Sequence, residues 1–137
     1  MTELKLIKKS VEPFKAKITF GRHRGYTDKI ISNEEFIQEV QNYQEKLIKG
    51  KGVFLSVSIS NTVIVLSGQK EPHFVLNFIN YPKFPLDTKT LKIEIELFIE
   101  HLMVVFKQNR VVIEYLDETI MLEFSDDIDP KIKTNPL

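Results

Sequence analysis

Cysteine is absent from the 137-residue sequence. Its absence excludes a disulfide-stapled scaffold, a zinc site with cysteine ligands and a cysteine nucleophile. The sequence also has no apolar run close to the ~20 residues that a membrane-spanning helix needs. The first residues lack the apolar region and small-residue cleavage site of a secretory signal. We therefore expect a cytoplasmic protein that makes no contact with membranes.

An excess of charge of either sign is also missing, because 19 basic residues balance 19 acidic ones. Proteins that bind nucleic acid usually carry a basic excess, so we expect no nucleic-acid partner. A surface without net charge repels its own copies weakly, which permits self-association. Hydrophobic residues make up 42% of the chain and charged residues 28%. This balance is typical of one folded globular domain.

The two ends of the chain differ from its middle. Residues 1–12 have the character of an extension, in which Leu4, Leu6 and Ile7 stand among lysines. Residues 13–124 are predicted to form a single α+β domain. Residues 125–137 are polar and are expected to form a loose tail.

Two helices are predicted from their capping signals. Ser32 and Glu35 fit a capping box, and Ile31 and Phe36 occupy the positions of a hydrophobic staple. Gly50 and Gly52 are expected to end this helix. The second helix is predicted over residues 88–107, with Asp87 as its N-cap, although residues 91–97 alternate in polarity as a strand would.

The strands are predicted from alternating polarity. One covers residues 15–20, and a hairpin follows the first helix, with strands 53–59 and 63–66 around a turn at Asn61. After a loop at 68–72 come a strand at 73–79, the second helix and a hairpin of strands 111–116 and 119–124. The order suggests two pseudo-repeated β-α-β-β units, residues 13–68 and 72–124. We expect a sheet with a four-stranded core and both helices on one face, so that loops 21–31 and 80–86 open on related sites.

The most suggestive candidate for a binding site is the loop Arg22-His23-Arg24-Gly25-Tyr26. Two arginines and a histidine could hold a carboxylate or phosphate, helped by backbone amides at the helix start near Ser32. The alternative is a solvated loop whose arginines pair with Asp28 or Glu34. Both interpretations stay open from the sequence alone.

No metal site and no cofactor are predicted. The three histidines, His23, His73 and His101, fall in a loop, a strand and a helix and lack the spacing of metal ligands. The acidic cluster at residues 126–129 lacks the glycine and the distal glutamate of a calcium-binding loop.

Residues 53–59, residues 66–72 and the strand Asn109–Asp117 resemble the tautomerase superfamily of macrophage migration inhibitory factor. The resemblance implies a homotrimer with small-molecule pockets at its subunit interfaces. It also implies a catalytic proline at the mature N-terminus, for which Pro13 is the counterpart, and a backbone contact near Asn80 and Tyr81. That chemistry needs a free secondary amine, and Pro13 is acylated by Glu12 unless residues 1–12 are removed.

Two functions are therefore expected. The first is a tautomerase-fold oligomer that lacks the proline mechanism and acts as a binding or assembly module. The alternative is an enzyme or binder for a small anionic molecule that uses residues 21–26. We expect a homotrimer, with a dimer as the second choice, because a monomer would leave sheet edges exposed.

Overall fold

The computed structural model describes residues 3–130, which form two helices and one sheet of five strands. This confirms the predicted α+β class. In chain order the elements are β1 (Lys15–Gly21), α1 (Asn33–Lys51), β2 (Ser58–Leu66), β3 (Gln69–Ile79), α2 (Thr88–Phe106), β4 (Arg110–Tyr115) and β5 (Thr119–Glu123).

The strands are arranged in the order β2-β3-β1-β4-β5, and every pair of neighbours is antiparallel. Strand β1 therefore lies at the centre, between β3 and β4. The connection β1-α1-β2 passes over β3, and the connection β3-α2-β4 passes over β1. This is a split β-α-β arrangement of the ferredoxin-like type, extended by one edge strand.

The hairpin predicted at residues 53–66 is wrong. Asn61 is not a turn residue, because it lies inside β2 opposite Phe74. The chain reverses at Ser67 and Gly68, which have φ values of 50° and 82°, as a two-residue hairpin loop between twisted strands requires. The predicted loop at 68–72 is instead the start of β3. The first unit therefore has no hairpin of its own, and the pseudo-repeat is not confirmed.

Both predicted helices are confirmed, and so are the capping contacts from which they were predicted. The Ser32 hydroxyl accepts from the Glu35 amide at 3.1 Å, and the Glu35 carboxylate accepts from the Ser32 amide at 2.9 Å. Gly52, at φ 64°, ends α1 in the left-handed region. The Asp87 carboxylate accepts from the Thr90 amide at 3.2 Å and begins α2.

The core lies between one face of the sheet and the two helices. Phe20 of β1 contacts Phe36 of α1 at a centroid distance of 5.3 Å and Phe106 of α2 at 6.3 Å. Both helices therefore cover the same face of the sheet. Within residues 3–130, no helix is long and apolar enough to cross a membrane.

Candidate functional site

Loop 22–31 after β1 is folded back on itself. The Ile31 amide donates to the Arg22 carbonyl at 2.7 Å, and the Arg24 amide donates to the Lys29 carbonyl at 2.9 Å. Gly25 takes a left-handed conformation at φ 56°, which a side chain would disfavour. These bonds fix the loop as a small hairpin at the end of β1.

The guanidinium of Arg22 already has partners within the protein. Its Nε and a terminal nitrogen donate to the Ile31 carbonyl at 3.2 and 3.0 Å, and its guanidinium lies 4.8 Å from the centroid of the Phe74 ring. These contacts hold the end of loop 22–31 against β3. Arg22 therefore has a structural role, although it still lines the cleft described below.

Arg24 points to α1. It pairs with the carboxylate of Glu35, and its guanidinium lies 5.4 Å from the centroid of the Phe106 ring. The Ser32 amide and the Arg24 guanidinium together lower the pKa of Glu35. The ion-pair partner is thus the capping residue Glu35, where the sequence suggested Asp28 or Glu34.

A polar cleft of about 150 Å³ opens beside this loop. Three elements supply its walls, namely loop 22–31, the start of β3 and the segment that follows α2. The predicted site residues Arg22, His23 and Tyr26 line it, and Glu71 and His73 of β3 lie across from them. Arg24 is not among the lining residues.

His73 is an ionisable side chain of the cleft whose pKa is shifted. Burial lowers its pKa, a carbonyl contact opposes this effect, and the positive charge that His23 can carry lowers the pKa further. Its Nδ1 lies 3.1 Å from the Glu71 carbonyl oxygen, which can only accept a hydrogen bond. We therefore assign the proton to Nδ1, and the lone pair of Nε2 is left to face the cleft near Gly21.

Gln108 and Gly21 also line the cleft. The Gln108 amide nitrogen donates to the His23 carbonyl at 2.5 Å and to the Phe106 carbonyl at 3.1 Å. A Cβ on Gly21 would lie only 2.5 Å from the side-chain oxygen of Gln108. Glycine at position 21 is therefore what lets Gln108 tie loop 22–31 to the end of α2.

The start of the C-terminal tail closes one side of the cleft. Asn109 and Arg110 donate to the carbonyls of Ser125 and Asp127 at 3.1 to 3.3 Å, and the Tyr26 hydroxyl donates to Asp127 at 3.1 Å. Residues 125–127 thus have defined hydrogen-bond partners, and the looseness expected of the tail stays a prediction. The part of the predicted tail at residues 131–137 lies outside the described residues.

Asn80 and Tyr81 lie at the other end of the sheet. Lys15 is paired with Ile79 and Gly21 with His73, so the two ends of β1 are about 20 Å apart at 3.4 Å per residue. The expectation that loops 21–31 and 80–86 open on related sites is therefore wrong, because β1 and β3 run antiparallel.

Asn80 has a structural role at that end. Its side chain is buried, donates to the Glu12 carbonyl at 3.1 Å and accepts from the Leu86 amide at 3.0 Å. Tyr81 is 45% exposed, beside Phe84. Pro13 lies exposed just before β1, far from the cleft.

Four further residues line the cleft that the sequence alone did not indicate, namely Glu71, His73, Gln108 and Asp129. His73 is predicted as the first residue of a strand after a loop at 68–72, and the local sequence does not show that it pairs with Gly21. A signal was present in Ser67-Gly68, since a two-residue turn there extends the strand predicted at 73–79 back past Glu71. No group of three or more histidine, aspartate or glutamate side chains that could hold a metal occurs within residues 3–130.

Comparison with known proteins shows the fold. No model of a protein family matches the chain, and no curated protein sequence matches it. Two solved structures are similar, a phage SAM lyase in complex with S-methyl-5′-thioadenosine and the phage SAM lyase in its apo state. Their TM-scores are 0.63 and 0.62, and each is 19% identical to this chain. In both, the alignment covers 88% of this chain and 97% of the other.

The resemblance to the tautomerase superfamily is therefore wrong, because the chain shares its fold with the phage lyase. The resemblance depended on a strand–turn–strand interpretation of residues 53–66, and this segment instead contains the single strand β2. The tautomerase-fold binding or assembly module is overturned with it. The role of Pro13 stays a prediction that has lost the resemblance on which it rested.

Proposed function

We propose that this protein cleaves S-adenosylmethionine and releases S-methyl-5′-thioadenosine, with the polar cleft as part of its active site. The observation that carries the proposal is the whole-domain fold likeness to a SAM lyase that has this nucleoside bound. The polar cleft supports it, because groups from three elements converge there around a half-buried histidine, His73.

The chemistry follows from the bond that must break. S-methyl-5′-thioadenosine keeps the methyl and adenosyl groups on sulfur, so cleavage lies between sulfur and the γ-carbon of the methionine chain. The substrate's own carboxylate oxygen can attack that carbon and form a cyclic ester, homoserine lactone. The electron pair of the broken bond returns to sulfur, which leaves as a neutral thioether. No water, proton or protein nucleophile is consumed, so a protein without cysteine can carry out this reaction.

The protein would contribute by holding the substrate in a reactive conformation and by excluding water from it. A sulfonium cation and a carboxylate neutralise each other in this step, and water stabilises the separated charges more than the transition state. A cleft that replaces water therefore favours the reaction. The Nε2 atom of His73 would accept a hydrogen bond from a ribose hydroxyl or the adenine amino group. The Glu71 carboxylate would accept from the ribose diol.

This substrate differs from the small anionic ligand predicted from the arginines. It has a carboxylate, but its ammonium and sulfonium groups give it a net positive charge. The arginines that motivated an anion site are occupied, since Arg22 binds the Ile31 carbonyl and Arg24 binds Glu35.

The test is direct turnover. Full-length protein incubated with S-adenosylmethionine is expected to produce S-methyl-5′-thioadenosine and homoserine lactone in equal amounts, measured by liquid chromatography with mass spectrometry. Turnover in heavy-oxygen water should leave the freshly formed lactone unlabelled, because its ring oxygen comes from the substrate carboxylate. A sample that releases no more nucleoside than buffer alone would overturn the proposal.

A homo-oligomer, trimeric first and dimeric second, is part of the proposal. The cleft holds about 150 Å³, whereas pockets for ligands of this size are usually about 300–1,000 Å³. Beside it, residues 63–66 and 69–72 extend past the end of β1 as a two-stranded arm, with Val63, Val65 and Leu66 more than half exposed. A second copy that covers this arm would enlarge and close the site.

The assembly is tested by light scattering on the full-length chain. We expect a mass about three times the 16.0 kDa of one chain. Replacing Val63 and Val65 with aspartate should lower both this mass and the turnover, because the charges would be buried at the interface. A wild-type mass of a single chain at micromolar concentration would contradict the assembly while leaving the turnover test intact.

A further inference from the structure

A second and larger cavity lies between α2 and the edge strand β5. This α2–β5 groove has a volume of about 550 Å³. Its apolar walls include Ile93, Leu97 and Phe124, each 42% exposed or more. The outer side of α2 thus leaves an apolar surface uncovered next to the last strand of the sheet, a feature that marks interaction sites.

The α2–β5 groove is also acidic. Glu96, Glu100 and Glu123 line it, and no lysine or arginine does so within residues 3–130. Glu96 accepts from the Tyr115 hydroxyl at 2.7 Å, and Glu123 pairs with Arg110 at 2.7 Å. Glu100 forms no ion pair in the described part of the chain. A partner for this groove must combine apolar side chains with positive charge.

Strand β5 offers the groove's backbone contacts. It pairs with β4 on one side only, because it is the last strand of the sheet. The free edge of such a strand presents unpaired amide and carbonyl groups, which an extended segment can pair by adding a strand.

The N-terminal segment has the complementary chemistry. Residues 3–11, here the N-terminal arm, form no helix or strand, and Leu4 and Leu6 are fully exposed. In an extended conformation Leu4, Leu6 and Lys8 point to the same side, since alternate residues share a face. Lys5 and Lys9 add positive charge on the other side.

The arm does not occupy the groove of its own chain in this structure, because Leu4 and Leu6 are fully exposed. Asn80, which follows β3, holds the Glu12 carbonyl at 3.1 Å. The chain before β1 is thus fixed on the β3 side of β1, whereas β5 lies two strands away on the other side. The arm and the groove are thus both uncovered within one chain, and a second copy can bring them together.

We propose that residues 3–11 of one copy dock as an added strand in the α2–β5 groove of a second copy. Leu4 and Leu6 enter the apolar part, and Lys8 reaches Glu100. Such a contact uses two different surfaces, so it joins copies head to tail and closes into a ring when the rotation allows. The proposal is independent of the reaction that the polar cleft carries out.

The test is a zero-length carbodiimide cross-link on the full-length chain, which joins a lysine amine to a carboxylate in direct contact. A denaturing gel separates linked pairs from single chains of 16.0 kDa, and peptide mass spectrometry identifies the link in each band. We expect Lys8 linked to Glu100 in the band of doubled mass. A link found only in single chains would place the arm in its own groove, and absence of any link between arm and groove would leave it undocked. Either result overturns the proposal.

Variants of the exposed arm keep the test independent of folding. Leu6→Asp should lower the yield of the doubled band at least about tenfold, because loss of one buried leucine weakens a contact by this order. Ile37→Asp, the same type of change on an exposed position of α1, should leave the yield unchanged. Lys8→Glu should lower the yield, and combining it with Glu100→Lys should restore it. A yield that Leu6→Asp does not alter would contradict the docking.

Discussion

Replacing Phe36 with alanine is expected to destabilise the domain by about 3–5 kcal/mol, the usual cost of removing a buried phenylalanine. Phe36 is fully buried and stacks on Phe74 of β3 at a centroid distance of 4.0 Å. Its ring also lies 5.3 Å from the rings of both Phe20 and Phe106. One side chain of α1 thus contacts two strands and the other helix. Because domains of this size are stable by about 5–15 kcal/mol, the loss would be a large fraction of the total.

Urea unfolding followed by circular dichroism measures this effect. The midpoint should fall, while the dependence on urea concentration should stay unchanged if the variant still unfolds in one step. Ile37→Ala is the matched control, because Ile37 is the next residue of α1 and is 42% exposed, so its replacement should cost about 0.5 kcal/mol or less. Equal losses for the two variants would mean that the aromatic cluster does not hold α1 on the sheet.

The helices could be predicted because their signals are local. Ser32 and Glu35 lie three residues apart and satisfy each other's backbone partners within one turn. Asp87 and Thr90 also lie three residues apart, and the Asp87 carboxylate accepts from both the amide and the hydroxyl of Thr90, which begins the helix that contains the alternating residues 91–97. No distant part of the chain is needed for either decision.

The sheet could not be predicted to the same degree, because its pairing is not local. Asn61 looks like a turn residue when only its neighbours in sequence are considered. Asn61 lies within a strand because β3 pairs with the whole length of β2, with Leu66 opposite Gln69 and Ser58 opposite Asn77. Nothing in residues 53–66 encodes that partner, and the turn two residues long at Ser67 and Gly68 is the only local indication.

The candidate site could be predicted only in part, because its composition depends on how the strands pair. The sequence correctly placed Arg22, His23 and Tyr26 in one loop, and all three line the polar cleft. The direction of β3 relative to β1 decides which residues face them, and that direction brings His73 to the cleft and takes Asn80 away. The roles of the arginines were likewise set by distant partners, the Phe74 ring for Arg22 and the Phe106 ring for Arg24.

His73 gives the proposed lyase its sharpest pH signature. Burial and the nearby His23 lower the pKa of His73 below the ordinary value of 6.5. The unfolded chain therefore takes up a proton at this residue at a higher pH than the folded one. The stability that neutral His73 contributes is fully present above pH 6.5, and it is lost as the pH falls through the folded pKa. Down to that lower pH, Nε2 keeps the lone pair that can accept a hydrogen bond from substrate.

Turnover of S-adenosylmethionine is accordingly expected to stay level from neutral pH down past 6.5 and to fall as His73 becomes protonated. His73→Phe keeps the bulk and removes the acceptor, so kcat/KM should drop about ten- to a hundredfold, the equivalent of one hydrogen bond of 1–3 kcal/mol. Its residual activity should no longer follow that titration.

His101→Phe is the matched control, because His101 of α2 pairs with Glu39 of α1 and does not line the cleft. Steady-state rates for the three proteins between pH 5 and 8 decide the matter. If His73→Phe retained wild-type kcat/KM, or if its activity fell at the same low pH as that of the wild type, the acceptor role of His73 would be wrong, because the group that titrates would then lie elsewhere.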